Sequence, residues 1–389
     1  MLNFLLKYFL PINFLFDIFT TTLWENNAIT ASIRGLILIM IIIIAWIKEP
    51  NNKIYTPFIF YTLFIILMIP LASDSFESLR LSSKALITLW SFPIFYIYSY
   101  LFTEKIIIRN ILIMSIILIV NYAISSIFGI GMSEYSAGKE FLVGNLSDSW
   151  LIYTFTLFLY IIISKTKNVR PFLKLFYLIM FSLLVVQLLL GMKRTAIIVF
   201  FLGISIYLIL EKLNIKSIIT YFLGFILILL LLNRYSEVLE LRLSARGDRV
   251  EGKYRDIIET EYRYLESIVV WEEILSFKNI SESLFGLEAY NSIYNYGTGM
   301  FTDRPLHIDY NLIVNTTGIF GLIFYFYIFY YIYLRYNERK IYMEFKYREL
   351  FLIIFITQFF ASIGGQMLSV TYGSIKFIFM AIALNKFEK

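Results

Sequence analysis

Cysteine is absent from this sequence, and histidine occurs once, at position 307. No disulfide framework, thiolate nucleophile or thiolate metal site can form. A zinc site would have to be built mostly from carboxylates, outside the usual donor sets. Charge is scarce as well: 16% of residues are Asp, Glu, Lys or Arg, against about 25% in a soluble domain. Nucleotide-binding signals are missing. Near Gly138 and Lys139, Ser133 stands where a Walker A loop needs its first glycine. There is no DxD pair to hold a metal and a nucleotide sugar. Any enzyme built on this chain would therefore use a lipid-activated donor, with no cofactor and no metal.

What the chain has is apolar length. It is 59% hydrophobic and 19% aromatic, with a mean hydropathy of +0.74. A membrane span needs about 20 apolar residues to cross a core about 30 Å thick. With no water there to serve the backbone, spans must be helices or a closed barrel. The apolar runs are continuous rather than alternating, which predicts helices. The expected fold is an all-α, polytopic membrane helix bundle of about twelve spans. They fall near 5–23, 30–47, 56–73, 85–103, 107–128, 149–164, 172–190, 195–210, 218–233, 309–334, 350–367 and 370–385. Residues 1–389 read as a single integral membrane domain, and 234–308 as a large external loop of short helices within it. The opening MLNFLLKYFLPINFLF lacks a small-residue cleavage site, so it reads as a retained first helix.

Basic residues set the expected orientation. One set of connections, with the terminal segments, carries eighteen, from Lys7, Lys48 and Lys53 to Lys386 and Lys389. The alternate short connections carry seven: Arg34, Arg80, Lys84, Lys139, Lys193, Arg194 and Lys376. The positive-inside rule then puts both termini in the cytoplasm and the long loop outside. Span centres hold few ionisable groups, Asp17 being the main exception. That scarcity weighs against a proton-coupled transporter, as does the lack of an internal repeat.

The outer face carries the candidate chemistry. The stretch 249–277 has helical periodicity, with Ile258, Tyr262, Leu265, Val269 and Trp271 on one side and Arg255, Glu259, Arg263 and Glu266 toward the other. This predicts an amphipathic helix on the membrane surface or capping the bundle. After it, His307, Asn311, Asn315 and Gly318 are spaced to share one face of the tenth span. Two amides and an imidazole on one face should point at a cavity or the bundle interior. The positive end of the helix dipole disfavours imidazolium at His307, and a neutral ring can accept a proton. Two readings stand: a general base, or an interfacial histidine with a satisfied hydrogen bond. Arg80, Lys84, Lys193, Arg194, Arg263 and Arg304 are outward cations. Singly, each reads best as a partner of an acid or of anionic headgroups. As a group they suit one anionic lipid headgroup, since arginine donates bidentate hydrogen bonds to phosphate.

Three pieces of sequence resemble the O-antigen polymerase and O-antigen ligase family of bacterial membrane glycosyltransferases. The first is His307 with Gly318 and Gly321 in HIDYNLIVNTTGIFG, which departs from the family pattern at Ile308, where a polar residue is usual. The second is GMKRTAII, which looks like the family's outer arginine turn and points to Arg194. The third is the order Arg263, Trp271, Gly286 upstream of the histidine. The motifs cover about 70 residues; the layout of spans is similar along nearly the whole chain.

The resemblance implies metal-independent glycosyl transfer on the outer face of the cytoplasmic membrane, from a saccharide on undecaprenyl diphosphate. Arg194 and Arg263, with Arg304, would bind the diphosphate, and His307 would orient or deprotonate the acceptor hydroxyl. Arg80, Lys84, Lys193, Asn311 and Asn315 would complete the substrate site. The implied partners are the lipid-linked oligosaccharide and membrane lipids, with a chain-length regulator left open and no nucleic acid. A polymerase of repeat units is the first reading. A ligase that transfers polysaccharide to lipid A-core is the second, and a lipid-linked oligosaccharide flippase a distant third.

Overall fold

The computed structural model of the chain describes residues 2–13, 15, 36, 39–40, 42–44, 46–50, 52–128, 149–165, 171–190, 194–210, 262–297, 305–365, 368, 370 and 372–386. Among these residues the regular elements are all helices. In chain order they are α1 (Leu2–Lys7), α2 (Thr56–Met68), α3 (Ser75–Ile97), α4 (Glu104–Phe128), α5 (Ser149–Lys165), α6 (Pro171–Leu190), α7 (Arg194–Leu210), α8 (Tyr262–Leu275), α9 (Ile280–Phe285), α10 (Asp309–Arg339), α11 (Phe345–Gly364) and α12 (Tyr372–Ala383).

Among the described residues, five segments are long and apolar enough to cross a membrane: Lys53–Leu71, Glu104–Ile124, Pro171–Leu189, Asp309–Arg339 and Phe345–Gly364. Shorter apolar helices at Ile152–Ile163, Thr195–Leu210 and Gly373–Ala383 lie within three more of the expected spans. The spans expected at 5–23, 30–47 and 218–233 lie wholly or partly outside the described residues, as does Asp17. Helix α2 shows why the class is membrane rather than soluble. Its inner face buries Phe58, Tyr61, Ile65 and Met68, while Phe60, Leu63, Ile66 and Leu67 are exposed on the outside. A surface helix of a soluble domain would carry polar residues there.

The span expected at 85–103 belongs to a helix that starts earlier, at Ser75. Asp74 is the reason: its side chain accepts the Glu77 N–H at 2.9 Å and caps an otherwise orphaned donor. Arg80 and Lys84 therefore sit inside the helix rather than ahead of it. Lys376 also departs from expectation. It is not in an outer connection but inside α12, and it is 1% exposed. Glu349, near the start of α11, is likewise buried. The described helices thus hold more buried charge than the apolar runs suggest.

The chain folds into two compact units. The first contains α1, α4 to α7 and the middle of α11. Helix α5 packs against α4, α6 and α7. Tyr160 of α5 meets Phe181 and Tyr207 with ring centroids at 5.9 and 5.5 Å. Asn110 of α4 ties down α1 by donating to the Lys7 carbonyl at 2.8 Å.

The second unit contains α2, α3, α8, α9, α10, α12 and the ends of α11. Helix α10 packs on α2, α8 and α9, while α12 packs on α3. Ile375 to Ala383 of α12 are all buried, so this helix is enclosed on every side. Where lipid is as apolar as a side chain, such packing holds helices together through close van der Waals contact.

The connection from α9 to α10 is pinned to this unit at several points. Ser73 donates its backbone N–H to Glu288 Oε1 at 3.0 Å, and its hydroxyl bonds the same oxygen. Ser82 donates to the Ala289 carbonyl at 3.3 Å. Tyr290 has a positive φ of 59°, and its buried phenol meets the Tyr61 hydroxyl at 2.5 Å. A non-glycine residue keeps such a φ only where its surroundings over-determine it. Tyr290→Phe leaves the Tyr61 hydroxyl buried without this partner and should cost about 1–3 kcal/mol. The double variant Tyr61→Phe/Tyr290→Phe should cost less than the two single changes added together. Thermal unfolding of the purified protein in detergent checks both statements.

The candidate site around His307

Local sequence rules build the frame of the site. Helix α9 is short. Asn279 caps its start by accepting the Glu282 N–H at 3.5 Å, and Gly286 ends it with φ 82°. Helix α10 begins at Asp309 and breaks its own geometry at Gly318, where φ is 65° and ψ −170°. That region of backbone space is open to glycine alone.

The two glycines meet. A Cβ placed on Gly286 would overlap the Thr316–Thr317 backbone, and one on Gly318 would overlap the Leu284–Phe285 backbone. In a continuous helix the Asn315 carbonyl would serve the amide of residue 319. Here it accepts the Leu287 N–H at 3.2 Å. The kink in α10 is thus the dock for the end of α9. Thr316 and Thr317 bond back to the Leu312 and Ile313 carbonyls at 2.6 Å, which satisfies their hydroxyls just before the kink.

Helix α8 locks onto the N-terminal half of α10. The Trp271 indole N–H donates to Asn311 Oδ1 at 3.0 Å, and Asn311 Nδ2 donates to Ser267 Oγ at 2.7 Å. Asn315 Nδ2 donates to the Asn295 carbonyl at 3.3 Å. Both amides are buried and bond protein groups, so they brace the wall of the site. Asn311→Leu removes both of its bonds and leaves the indole N–H without its acceptor. The expected cost is about 2 kcal/mol or more, read as a lower unfolding temperature. Adding Trp271→Phe to the Asn311→Leu variant should cost little more, because the donor has already lost its partner.

His307 is held from both sides along the chain. The preceding residue, Leu306, is fully buried and donates its N–H to Ser292 Oγ at 3.0 Å. The following residue, Ile308, is the N-cap of α10 and accepts the Leu312 N–H at 2.9 Å. His307 therefore stands just outside the helix, while Asn311, Asn315 and Gly318 lie within it. Its ring is 34% exposed, and Nδ1 lies 3.9 Å from Oε1 of Glu266, whose side chain is fully buried.

Glu266 corrects the sequence reading of α8. Periodicity put it on the polar side with Arg255, Glu259 and Arg263. The structure buries Glu266 with Val270 and Ile274, at intervals of one turn, while Leu265, Val269 and Trp271 are only half-buried. Helix α8 packs on α10 through that stripe and so brings the carboxylate to the imidazole. The spacing of Glu266, Val270 and Ile274 is that of one helical stripe, and its first member is the charged one.

Desolvation also acts on two other ionisable groups of this unit. Burial pushes the Glu273 carboxyl up, and the Gly297 N–H at 3.1 Å partly opposes this. Burial also pushes the Tyr290 phenol well up.

The predicted cations are placed as follows. Arg80 pairs with Glu77 one turn back and holds that carboxyl below its usual range. Lys84 is one turn further along α3. Arg263 lies on α8 one turn before Glu266, and Arg194 is the first residue of α7 in the other unit. Neither arginine's side chain is among the described ones, and Lys193, Arg304 and residues 249–261 lie outside the described residues. Among the described residues, no three of His, Asp and Glu converge as metal ligands. No protein-family model matches the chain, and no curated protein sequence matches it.

Proposed function

We propose that this chain is a multi-pass protein of the bacterial cytoplasmic membrane that polymerises oligosaccharide repeat units carried on undecaprenyl diphosphate. In this reading about twelve spans hold the polyprenyl tails, both termini are cytoplasmic, and the 234–308 segment faces outward. The reaction forms a bond between an acceptor hydroxyl oxygen and the anomeric carbon of the donor. The bond from that carbon to the diphosphate breaks, and its electron pair leaves with the phosphate oxygen. His307 takes the acceptor proton. Arg194, Arg263 and Arg304 bind the departing diphosphate, where fixed cations are worth most as charge develops. Lys193, Arg80 and Lys84 add positive potential around the headgroup, and Arg80 would exchange Glu77 for phosphate.

The observation that supports this reading is the convergence of separated motif residues. Trp271 and Gly286, far from His307 in sequence, are joined to its helix by the Trp271–Asn311 bond and by the docking of Gly286 against Gly318. Those are positions through which the sequence resembles the glycosyltransferase family, and they pack on the helix whose start His307 precedes.

The test is the surface glycan of a strain lacking this chain. A polymerase predicts lipid A-core, or the corresponding carrier, bearing one repeat unit, with long chains restored by the wild-type gene. Bare core with long chains accumulating on undecaprenyl diphosphate would replace the polymerase by a ligase. Repeat units retained on the cytoplasmic side would overturn the transferase in favour of a flippase.

A further inference from the structure

We propose that Glu266 is the positioning residue of His307: its buried carboxylate holds the imidazole with Nδ1 inward and leaves Nε2 facing the exposed side. For the reaction it serves, this rests on the transferase reading above; the pairing itself does not.

The geometry carries the argument. Glu266 is fully buried on α8, and its Oε1 is 3.9 Å from Nδ1, within ion-pair reach and slightly beyond a hydrogen bond. Such contacts often tighten only when substrate closes a site. Leu306 and Ile308 fix the backbone on either side, so the ring can move only through its own side-chain rotations.

The neighbouring acids have other partners. Asp309 Oδ1 accepts the Leu368 N–H at 3.4 Å, and Glu288 is held by Ser73 and Asn291. Glu273 takes the Gly297 N–H. Arg263, one turn before Glu266 on α8, is the cation of the same element.

A carboxylate facing one ring nitrogen selects the tautomer with the proton on that nitrogen, so the lone pair lies on the other. Nε2 then accepts the proton of the acceptor hydroxyl as the new glycosidic bond forms. The imidazolium that results faces the Glu266 carboxylate, which favours the charged ring. The ring afterwards gives its proton to water at its exposed side.

A single histidine makes the test direct. The chain is purified with a histidine-free tag, labelled on the imidazole carbons, and titrated by NMR in detergent; one resonance reports one ring. With wild type and Glu266→Gln compared, the substitution should move the midpoint to lower pH by about one unit, because an adjacent carboxylate favours the charged ring. Glu273→Gln, two turns along the same helix and about 10 Å away, should leave it in place. Glu266→Asp, which keeps the charge on a shorter arm, should recover part of the shift.

An unchanged midpoint in folded Glu266→Gln protein overturns the pairing, whatever the glycan profile shows. A moved midpoint with loss of polymer in both Glu266→Gln and His307→Ala supports the pairing and its role. A moved midpoint with normal polymer in both variants leaves the pairing standing and sinks the transferase reading instead.

Discussion

Gly318→Ala should leave little folded protein. The substitution places a methyl group where the Leu284 carbonyl and the Phe285 amide already sit, on a backbone with φ 65° that alanine resists. The unfavourable backbone costs about 1–3 kcal/mol, and the forced separation of α9 from α10 adds about 1–3 kcal/mol. Neither cost can relax alone, because the kink exists to admit α9 and the Leu287–Asn315 bond holds them together. An unfolding temperature lower by about 5 °C or more is expected, together with reduced yield from the membrane. Gly286→Ala should behave alike, since its obstacle is the backbone of Thr316 and Thr317. Gly321→Ala should be milder. There the obstruction is chiefly one side chain, that of Thr317, rather than the backbone of another helix. Its hydroxyl can turn away but its Cβ cannot, so α10 must give slightly at that point, on a backbone without the positive φ of Gly318. If Gly318→Ala and Gly321→Ala melt together near wild type, the docked kink is not the structural centre of this unit.

His307→Ala should instead leave the fold intact and abolish the product. The ring is partly exposed and precedes α10, so its loss removes little packing. A general base contributes about 10²–10⁴-fold to rate, so long-chain polysaccharide should fall by at least about 10²-fold at unchanged protein level. The measurement is the chain-length distribution in a complemented deletion strain, with the membrane content of the protein quantified beside it. Stability and activity thus separate the two predictions. Gly318 acts through the frame, and its variant loses protein and product in parallel. His307 acts through chemistry, and its variant loses product alone. Polymer at normal length and amount in the His307→Ala strain would remove the imidazole from the proposed mechanism.

The residues around His307 show how far a pattern can be read without neighbours. The spacing of Asn311, Asn315 and Gly318 puts them on one helical face, and the structure does bury both amides there. What that face meets was not legible. Asn311 meets Trp271 and Ser267, and Asn315 meets Asn295, all brought in from a segment whose path depends on tertiary contacts. Glu266 is the sharper case. Its stripe with Val270 and Ile274 was countable, yet polarity suggested solvent. The approach of α10 is what brings the imidazole beside that buried carboxylate.

The sequence by itself determined the class. Continuous apolar runs in a chain poor in charge must satisfy their backbone internally, so the described residues form helices and five of these segments are long enough to cross a membrane. Capping residues such as Asp74 and Asn279 set where helices begin. Tertiary structure alone decided that Gly286 and Gly318 touch, that Lys376 is enclosed in α12, and that Glu266 stands beside His307. The physical reason is that helical periodicity specifies which residues share a face but not what that face adjoins. Where lipid and protein interior are equally apolar, the hydrophobic pattern no longer distinguishes the two sides.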